Sequence, residues 1–182
     1  MNTRAALNAR ASLSLALALT LALSASAAVI NVHVCPHTHD DVGWDETYMQ
    51  YYQGDGPIGG RNVTRILRAV VAGLLQDPKR RFSYVEQAYF QVWFETQEED
   101  VKASVRALVA SKQLVFLNGG WSMHDEASPS FVDMLDNTAV GQRAILDNFG
   151  PSALPKLTWQ IDPFGHSAFQ GMMSGALAGY AG

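Results

Sequence analysis

Apolar positions repeat along most of the chain with two different spacings. Long segments carry apolar residues every three or four positions, which predicts amphipathic helices at 63–77, 98–112 and 130–149. Short runs rich in β-branched and aromatic residues predict strands at 29–34, within 81–90, within 113–121 and at 156–161. A further helix is expected directly after the second strand, and a helix of small residues from about His166. Strands that alternate with helices in this way predict an α/β fold with a parallel sheet.

Polar side chains with metal-binding or catalytic chemistry follow each predicted strand. Right-handed crossovers bring the carboxyl ends of parallel strands to one edge of the sheet, where such folds bind their ligands. We therefore expect these side chains to share one polar pocket. In chain order they are His37, His39 and Asp41 after the first strand, Glu86 after the second, His124, Asp125 and Glu126 after the third, and Asp162 and His166 after the fourth.

The first of these clusters suggests a metal site. If the strand stays extended, His37, His39 and Asp41 lie on one face, because side chains alternate along a strand. Imidazole and carboxylate ligands suit a catalytic zinc or a similar divalent ion. Several carboxylates near such an ion also suit glycosidic cleavage, in which one carboxylate attacks and another donates a proton. Asp162, which Pro163 follows at a strand end, is a candidate for the attacking group.

These polar groups also have ordinary structural interpretations, which the sequence leaves open. An aspartate in the first cluster can cap a helix, and a serine after the fourth strand can do the same. The acidic loop after the third strand can simply be solvated, and Glu86 can satisfy a neighbouring backbone group. Trp44, Trp121 and Phe164 lie beside the acids and can form walls for sugar rings, but Trp44 can equally belong to the core. The polar residues in question are Asp40, Asp41, Glu86, His124–Glu126 and Ser167.

Three motifs closely resemble the N-terminal catalytic region of the class II α-mannosidases, glycoside hydrolase family 38, and especially its lysosomal branch. They are PHTHDDVGW (36–44), FLNGGWSMHDEA (116–127) and WQIDPFGHS (159–167), in this order. The resemblance covers the chain from about residue 30 to near its end. It implies that the chain is the N-terminal part of a (β/α)7 barrel, through about four strands. It also implies one zinc ion that binds mannose hydroxyls, and a retaining reaction through a mannosyl-enzyme intermediate.

The resemblance also implies roles for individual residues. It makes His39, Asp41 and Asp162 the zinc ligands and leaves His37 outside the coordination shell. Asp162 is implied as the nucleophile too, and Trp44 and Phe164 as the lining of the sugar subsite. The substrate is expected to be a mannose-containing oligosaccharide of the N-glycan type.

The family's general acid/base aspartate and its remaining zinc-ligand histidine lie further along the sequence than residue 182. The chain is therefore expected to be a fragment that lacks the C-terminal portion of the parent enzyme. By itself it should be inactive or nearly so.

The N-terminus predicts a secretory signal peptide at 1–27, followed by the partial catalytic domain at 28–182. Positive residues precede a Leu/Ala run that ends in small residues, and the run is short for a membrane span of about 20 residues. The expected location is the secretory pathway, and then the lysosome, the vacuole or the cell exterior. If the chain is secreted, Asn62 begins an acceptor sequon for glycosylation.

Composition narrows the list of partners. The 182 residues carry a net charge of −4 and are 48% hydrophobic, as in a globular domain. No basic cluster is longer than Lys79–Arg81, which argues against nucleic acid or an anionic membrane as a partner.

Two other functions stay open. The pair of histidines after the first strand also suits a metal-dependent amidohydrolase or deacetylase, although those enzymes need further histidines after later strands. A short product that only binds a metal or a sugar is the second alternative.

Overall fold

The computed structural model describes residues 30–177. The chain divides into two units, residues 1–34 and 35–182. In the first unit, the described residues 30–34 have no regular secondary structure, and the side chains of Ile30, Val32 and Val34 are exposed. The predicted signal peptide at 1–27 lies outside the described residues. The elements and contacts below belong to the second unit.

The second unit combines a short parallel sheet with several helices. Its elements in chain order are α1 (Tyr48–Gln53), α2 (Val63–Gln76), β1 (Phe82–Tyr84), α3 (Gln87–Glu95), α4 (Glu99–Ala110), β2 (Leu114–Phe116), α5 (Phe131–Phe149), a 3₁₀ turn (Pro151–Ala153), α6 (Ala168–Met172) and a π turn (Met173–Leu177). Helix α1 was absent from the sequence predictions. It begins at a capping box: the Thr47 side chain accepts a hydrogen bond from the Gln50 amide, and the Gln50 side chain accepts one from the Thr47 amide. Within residues 30–177 the helices are too short or too polar to cross a membrane.

The sheet contains two parallel strands, which confirms the two central strand predictions. Strand β1 pairs with β2 in the register Phe82–Leu114, Ser83–Val115 and Tyr84–Phe116. Parallel neighbours need a crossover connection, and α3 and α4 provide it. The α/β class is therefore confirmed.

The two outer strand predictions, at 29–34 and 156–161, were wrong for the described residues. An isolated parallel bridge joins His37 to Ser83, so the chain meets β1 only after the predicted segment has ended. On the other side, the backbone amide of Asn118 donates a hydrogen bond to the Leu157 carbonyl (3.1 Å). His37 and Leu157 are thus single points of backbone contact and not parts of strands. β-branched residues favour an extended backbone, but a strand also needs a neighbour along several residues.

The core lies around the sheet and is rich in aromatic rings. Phe90 of α3 is at its centre, with Phe116 of β2 edge-on at 4.9 Å and Phe149 of α5 at 6.0 Å between ring centroids. Aromatic pairs at these separations favour tilted and edge-to-face geometry. Trp93 and Phe94 are also buried beside this ring. Helices α3 and α5 are therefore fixed against β2, and the loops that follow the strands start from rigid positions.

Helix α2 begins at Asn62, the first residue of the sequon. Its side-chain oxygen accepts a hydrogen bond from the Arg65 amide (2.7 Å), which caps the helix. Its amide nitrogen, where a glycan would attach, donates to the Gln53 carbonyl (2.8 Å) and lies tightly against Gly54. Asn62 therefore has a structural role in the folded chain.

We expect Asn62→Ala to lower the free energy of unfolding by about 1 kcal/mol, the usual loss when a helix cap is removed. Asn62→Asp keeps an oxygen for the Arg65 amide and should recover most of this loss. Urea denaturation of the three proteins measures the difference. An equal loss in both variants would place the effect in the contact with Gln53 instead of the cap.

Candidate active site

A cavity of about 630 Å³ lies where the segments after the strands meet. All three sequence motifs contribute to its wall. The lining residues are 39–44, Glu86, 122–125, Ser128, Pro129, Asp133, Met134, Asn137 and 161–164. The expectation that polar groups after successive strands share one pocket is therefore met for most of the residues named from the sequence.

His39 and Asp41 form a close polar pair on this wall. His39 Nε2 lies 3.3 Å from Asp41 Oδ1, and both side chains are accessible to solvent. His37 points elsewhere, with its ring edge-on to Trp159 at 5.0 Å. The extended strand that placed His37 on the same face does not form, since residues 38–41 have no strand structure.

Two tyrosines from the sheet and α3 hold this segment in place. The Tyr84 hydroxyl donates to Asp40 Oδ2 (2.9 Å), and the Tyr89 hydroxyl donates to the Asp41 carbonyl (2.7 Å). Asp40 thus binds a core tyrosine, and α1 takes its cap from Thr47, so the interpretation of Asp40 or Asp41 as a helix cap was wrong.

Asp162 lines the cavity in an uncommon backbone conformation. Its φ is +70°, in the left-handed region that non-glycine residues seldom occupy. Such a conformation costs on the order of 1–3 kcal/mol and persists only where the surroundings impose it. The side chain is exposed to solvent. Ser167 accepts a hydrogen bond from the Phe169 amide and caps α6, which confirms the interpretation of this serine as a helix cap.

Trp44 and Phe164 are exposed aromatic residues on the cavity wall. Their exposed fractions are 73% and 86%, which excludes the core interpretation of Trp44. The Arg61 guanidinium lies over the Trp44 ring at 5.7 Å and is itself bonded to Asp45 (3.0 Å). An exposed ring held from one side leaves its other face open to a ligand.

Glu86 is a buried carboxyl group at the base of the cavity, only 1% exposed. Neither of its oxygens has a hydrogen-bond partner of good geometry among the residues that the structure describes, although the backbone of Glu86 and Asp40 opposes part of the rise in its pKa. Burial, together with the negative charge of Asp40, raises the pKa of Glu86 from 4.5 to about 8. Burial also raises the pKa of Asp40. Nothing local in the sequence distinguishes these buried acids from solvated ones.

The loop after β2 is more ordered than a solvated acidic loop. His124 and Glu126 are buried, whereas Asp125 between them is exposed. Asn137 Nδ2 donates to His124 Nε2 (2.8 Å), so the ring proton is on Nδ1 and is donated to Gln170 Oε1 (2.7 Å). Asn137 and Gln170 carried no signal in the sequence, because they lie 13 and 46 residues from their partner.

The donor set suits a zinc ion in its chemistry and partly in its geometry. His39 and Asp41 supply an imidazole nitrogen and a carboxylate oxygen close together, as zinc sites require, and Asp162 lies on the same wall. Across residues 30–177, however, no three His, Cys, Asp or Glu side chains lie close enough to hold a metal ion. The ligand set His39, Asp41 and Asp162 therefore stays a prediction.

Comparison with known families agrees with the three motifs. The glycosyl hydrolases family 38 N-terminal domain matches residues 29–181. The chain belongs to glycosyl hydrolase family 38. The family predicted from the three motifs is thereby confirmed.

Relatives within family 38 are substantially longer proteins. An alpha-mannosidase of Arabidopsis thaliana is 50% identical over 152 residues, which are 83% of this chain and 15% of that protein. The alpha-mannosidase of Canavalia ensiformis is 45% identical over 152 residues, again 83% of this chain and 15% of that protein. The lysosomal alpha-mannosidase of Mus musculus is 46% identical over 143 residues, 78% of this chain and 14% of that protein. The chain thus spans about 15% of the length of these curated relatives.

Proposed function

We propose that this chain carries part of the active site of a zinc-dependent retaining α-mannosidase. The substrate class is terminal α-D-mannose residues of N-glycan-type oligosaccharides. The observation that carries the proposal is the convergence of His39, Asp41, Asp162, Trp44 and Phe164 on one cavity. The names of the relatives support the choice of mannose.

The chemistry assigned to these residues is nucleophilic. The Asp162 carboxylate attacks the anomeric carbon, the glycosidic bond breaks, and the departing oxygen takes a proton from a general acid outside this chain. Water then cleaves the aspartyl ester and restores the carboxylate. A zinc ion held by His39, Asp41 and Asp162 would act as a Lewis acid that binds the mannose hydroxyls. Trp44 and Phe164 present apolar faces to the C–H side of the sugar.

We further propose that these residues work within a longer catalytic domain, the (β/α)7 barrel implied by the family, because the curated relatives are much longer. The stretch described here would be inactive or nearly so towards natural glycosides, since the resemblance to family 38 places the general acid beyond residue 182. The lysosomal relatives favour a lysosomal or vacuolar enzyme reached through the secretory pathway.

A 5-fluoro-α-mannosyl fluoride tests the role of Asp162 directly. Fluoride leaves without protonation, so the missing general acid is not needed. With zinc present, we expect the wild-type chain to gain one fluoromannosyl group on the peptide that contains Asp162, as intact and peptide mass spectrometry will show. Asp162→Asn should be labelled about a thousandfold more slowly or not at all, as expected when a nucleophile is removed.

Asp136→Asn is the matched control, because Asp136 is an exposed aspartate of α5. It should be labelled at the wild-type rate. Labelling at another residue, equal labelling of Asp162→Asn, or an unlabelled wild-type chain would each contradict the proposed role. An amidohydrolase or deacetylase would leave the mannosyl reagent unused and hydrolyse an amide or acetyl substrate instead.

A further inference from the structure

Glu126 contacts the segment that carries Asp162 at two points. Its Oε2 accepts a hydrogen bond from the Ser167 amide (2.9 Å), and its Oε1 lies 3.3 Å from His166 Nδ1. The Glu126 side chain is only 5% exposed, whereas that of His166 is 74% exposed. A buried carboxylate is stabilised by such donors, and hydrogen bonds to charged groups are stronger than neutral ones. The contact is therefore a built feature of the loop and not a surface ion pair.

Steric contact reinforces this hydrogen bonding. Gly165 has a φ of +112°, and a Cβ added there would lie 2.6 Å from the Cβ of Ala127, the residue after Glu126. The segment before α6 thus lies directly on residues 126–127, at a separation that only glycine permits.

A third contact holds the far end of the same segment. Gln170 of α6 accepts the hydrogen bond from His124, two residues before Glu126. Residues 124–127 and 165–170 are therefore joined by close packing at the Gly165 end, by the Glu126 contacts next to it and by the His124–Gln170 hydrogen bond at the far end. Asp162 lies three residues before Gly165, at the open end of this connection.

We infer that Glu126 is a positioning residue, which fixes residues 162–167 against the loop after β2 and so holds Asp162 on the cavity wall. Its effect on catalysis rests on the proposed function, whereas its effect on the segment does not. The left-handed backbone of Asp162 is a conformation that needs external support. Glu126 provides that support through Ser167 and His166, without lining the cavity itself.

Amide hydrogen exchange in the full chain tests this role. Glu126→Ala removes both contacts, and we expect the Ser167 amide and its neighbours in 164–167 to exchange about tenfold faster. Glu126→Gln has the same size and keeps an oxygen for the Ser167 amide, so it should restore much of the protection. Asp125→Asn, which removes an exposed charge from the adjacent position, should leave exchange at Ser167 unchanged.

The amides of α2 report whether the effect is local. They should keep their wild-type protection in Glu126→Ala and Glu126→Gln. Equal acceleration in α2 and at Ser167 would show a general loss of stability, and unchanged exchange at Ser167 would show that Glu126 holds nothing. Either result would overturn the inference. If Glu126→Ala does not fold, Glu126→Gln carries the test. Its neutral amide is a weaker acceptor than the carboxylate, so exchange at 164–167 should still be measurably faster than in the wild-type chain, and equal rates would overturn the inference.

Fluoromannosyl labelling separates the two ideas. We expect Glu126→Gln to be labelled at Asp162 more slowly than the wild-type chain. An unlabelled wild-type chain would refute the nucleophilic role of Asp162, while the exchange rates would still decide the role of Glu126.

Discussion

Replacing Glu86 with glutamine should increase the free energy of unfolding strongly at alkaline pH and make it less dependent on pH. Glu86 is buried and has no hydrogen-bond partner among the described residues, so its ionised form is poorly tolerated. Its pKa is raised from 4.5 to about 8 in the folded chain, mainly by burial and then by Asp40. The amide of glutamine stays uncharged at every pH, so this variant does not have to bury a negative charge in the folded chain.

The sign of the pH dependence follows from where the proton is bound. Below pH 4.5 the carboxyl group is protonated in both the folded and the unfolded chain, and it causes no loss of stability. As pH rises from 4.5 to about 8, the unfolded chain releases the proton while the folded chain keeps it, so the free energy of unfolding falls. Above this range the loss is complete, on the order of 5 kcal/mol.

Urea denaturation of the wild-type chain and Glu86→Gln, from below pH 4.5 to above pH 8, measures this effect. The two proteins should differ least at the acidic end and most at the alkaline end. Glu95→Gln is the control, because Glu95 is an exposed glutamate at the end of α3, the helix that Glu86 directly precedes. A wild-type stability that does not fall across this range would contradict the buried, proton-retaining state of Glu86.

Gly141→Ala should destabilise the protein, although alanine is the better helix former. A Cβ at position 141 of α5 would lie 2.2 Å from the Gly119 carbonyl oxygen and 2.4 Å from the Gly120 carbonyl carbon. These are backbone atoms of the turn after β2, so they cannot move aside as the end of a flexible side chain can. Overpacking costs about 1–3 kcal/mol or more, which outweighs the gain of about 1 kcal/mol in helix propensity. The net loss should be about 2 kcal/mol.

Gly73→Ala provides the matched control in helix α2. There the nearest atom to a new Cβ is the end of the Arg80 side chain at 3.7 Å, an ordinary contact. This variant should therefore gain up to about 1 kcal/mol of stability from helix propensity. Denaturation midpoints give both values. Equal changes in the two variants would contradict the close approach of α5 to residues 119–120.

The position of Gly141 also matters for the cavity. The turn against which it packs leads directly into Trp121–Glu126, where Ser122 and His124 bond Asn137 of the same helix. We therefore expect Gly141→Ala to disturb the cavity wall as well as the fold. The Ser122 amide donates a hydrogen bond to Asn137 Oδ1 (3.0 Å), so faster exchange of this amide would report the change.

The sequence by itself determined the elements whose patterns are local. Apolar periodicity predicted α2, α4 and α5 to within one or two residues, and β-branched and aromatic runs predicted β1 and β2. The three motifs predicted the family, and the spacing of His39 and Asp41 brought two of the proposed ligands together. Periodicity and motif are properties of neighbouring residues, and therefore they can be read from the chain alone.

Only the tertiary structure decided the features that depend on distant residues. The segments at 30–34 and 156–161 carry strand-forming residues but lack a partner along their length. Glu86 and Asp125 are both acids after a strand, yet burial gives the first a raised pKa and leaves the second exposed. Glu126 finds Ser167 and His166 about 40 residues further along the chain. Pairing, desolvation and hydrogen bonding across such separations depend on how the whole chain packs, and no local pattern specifies them.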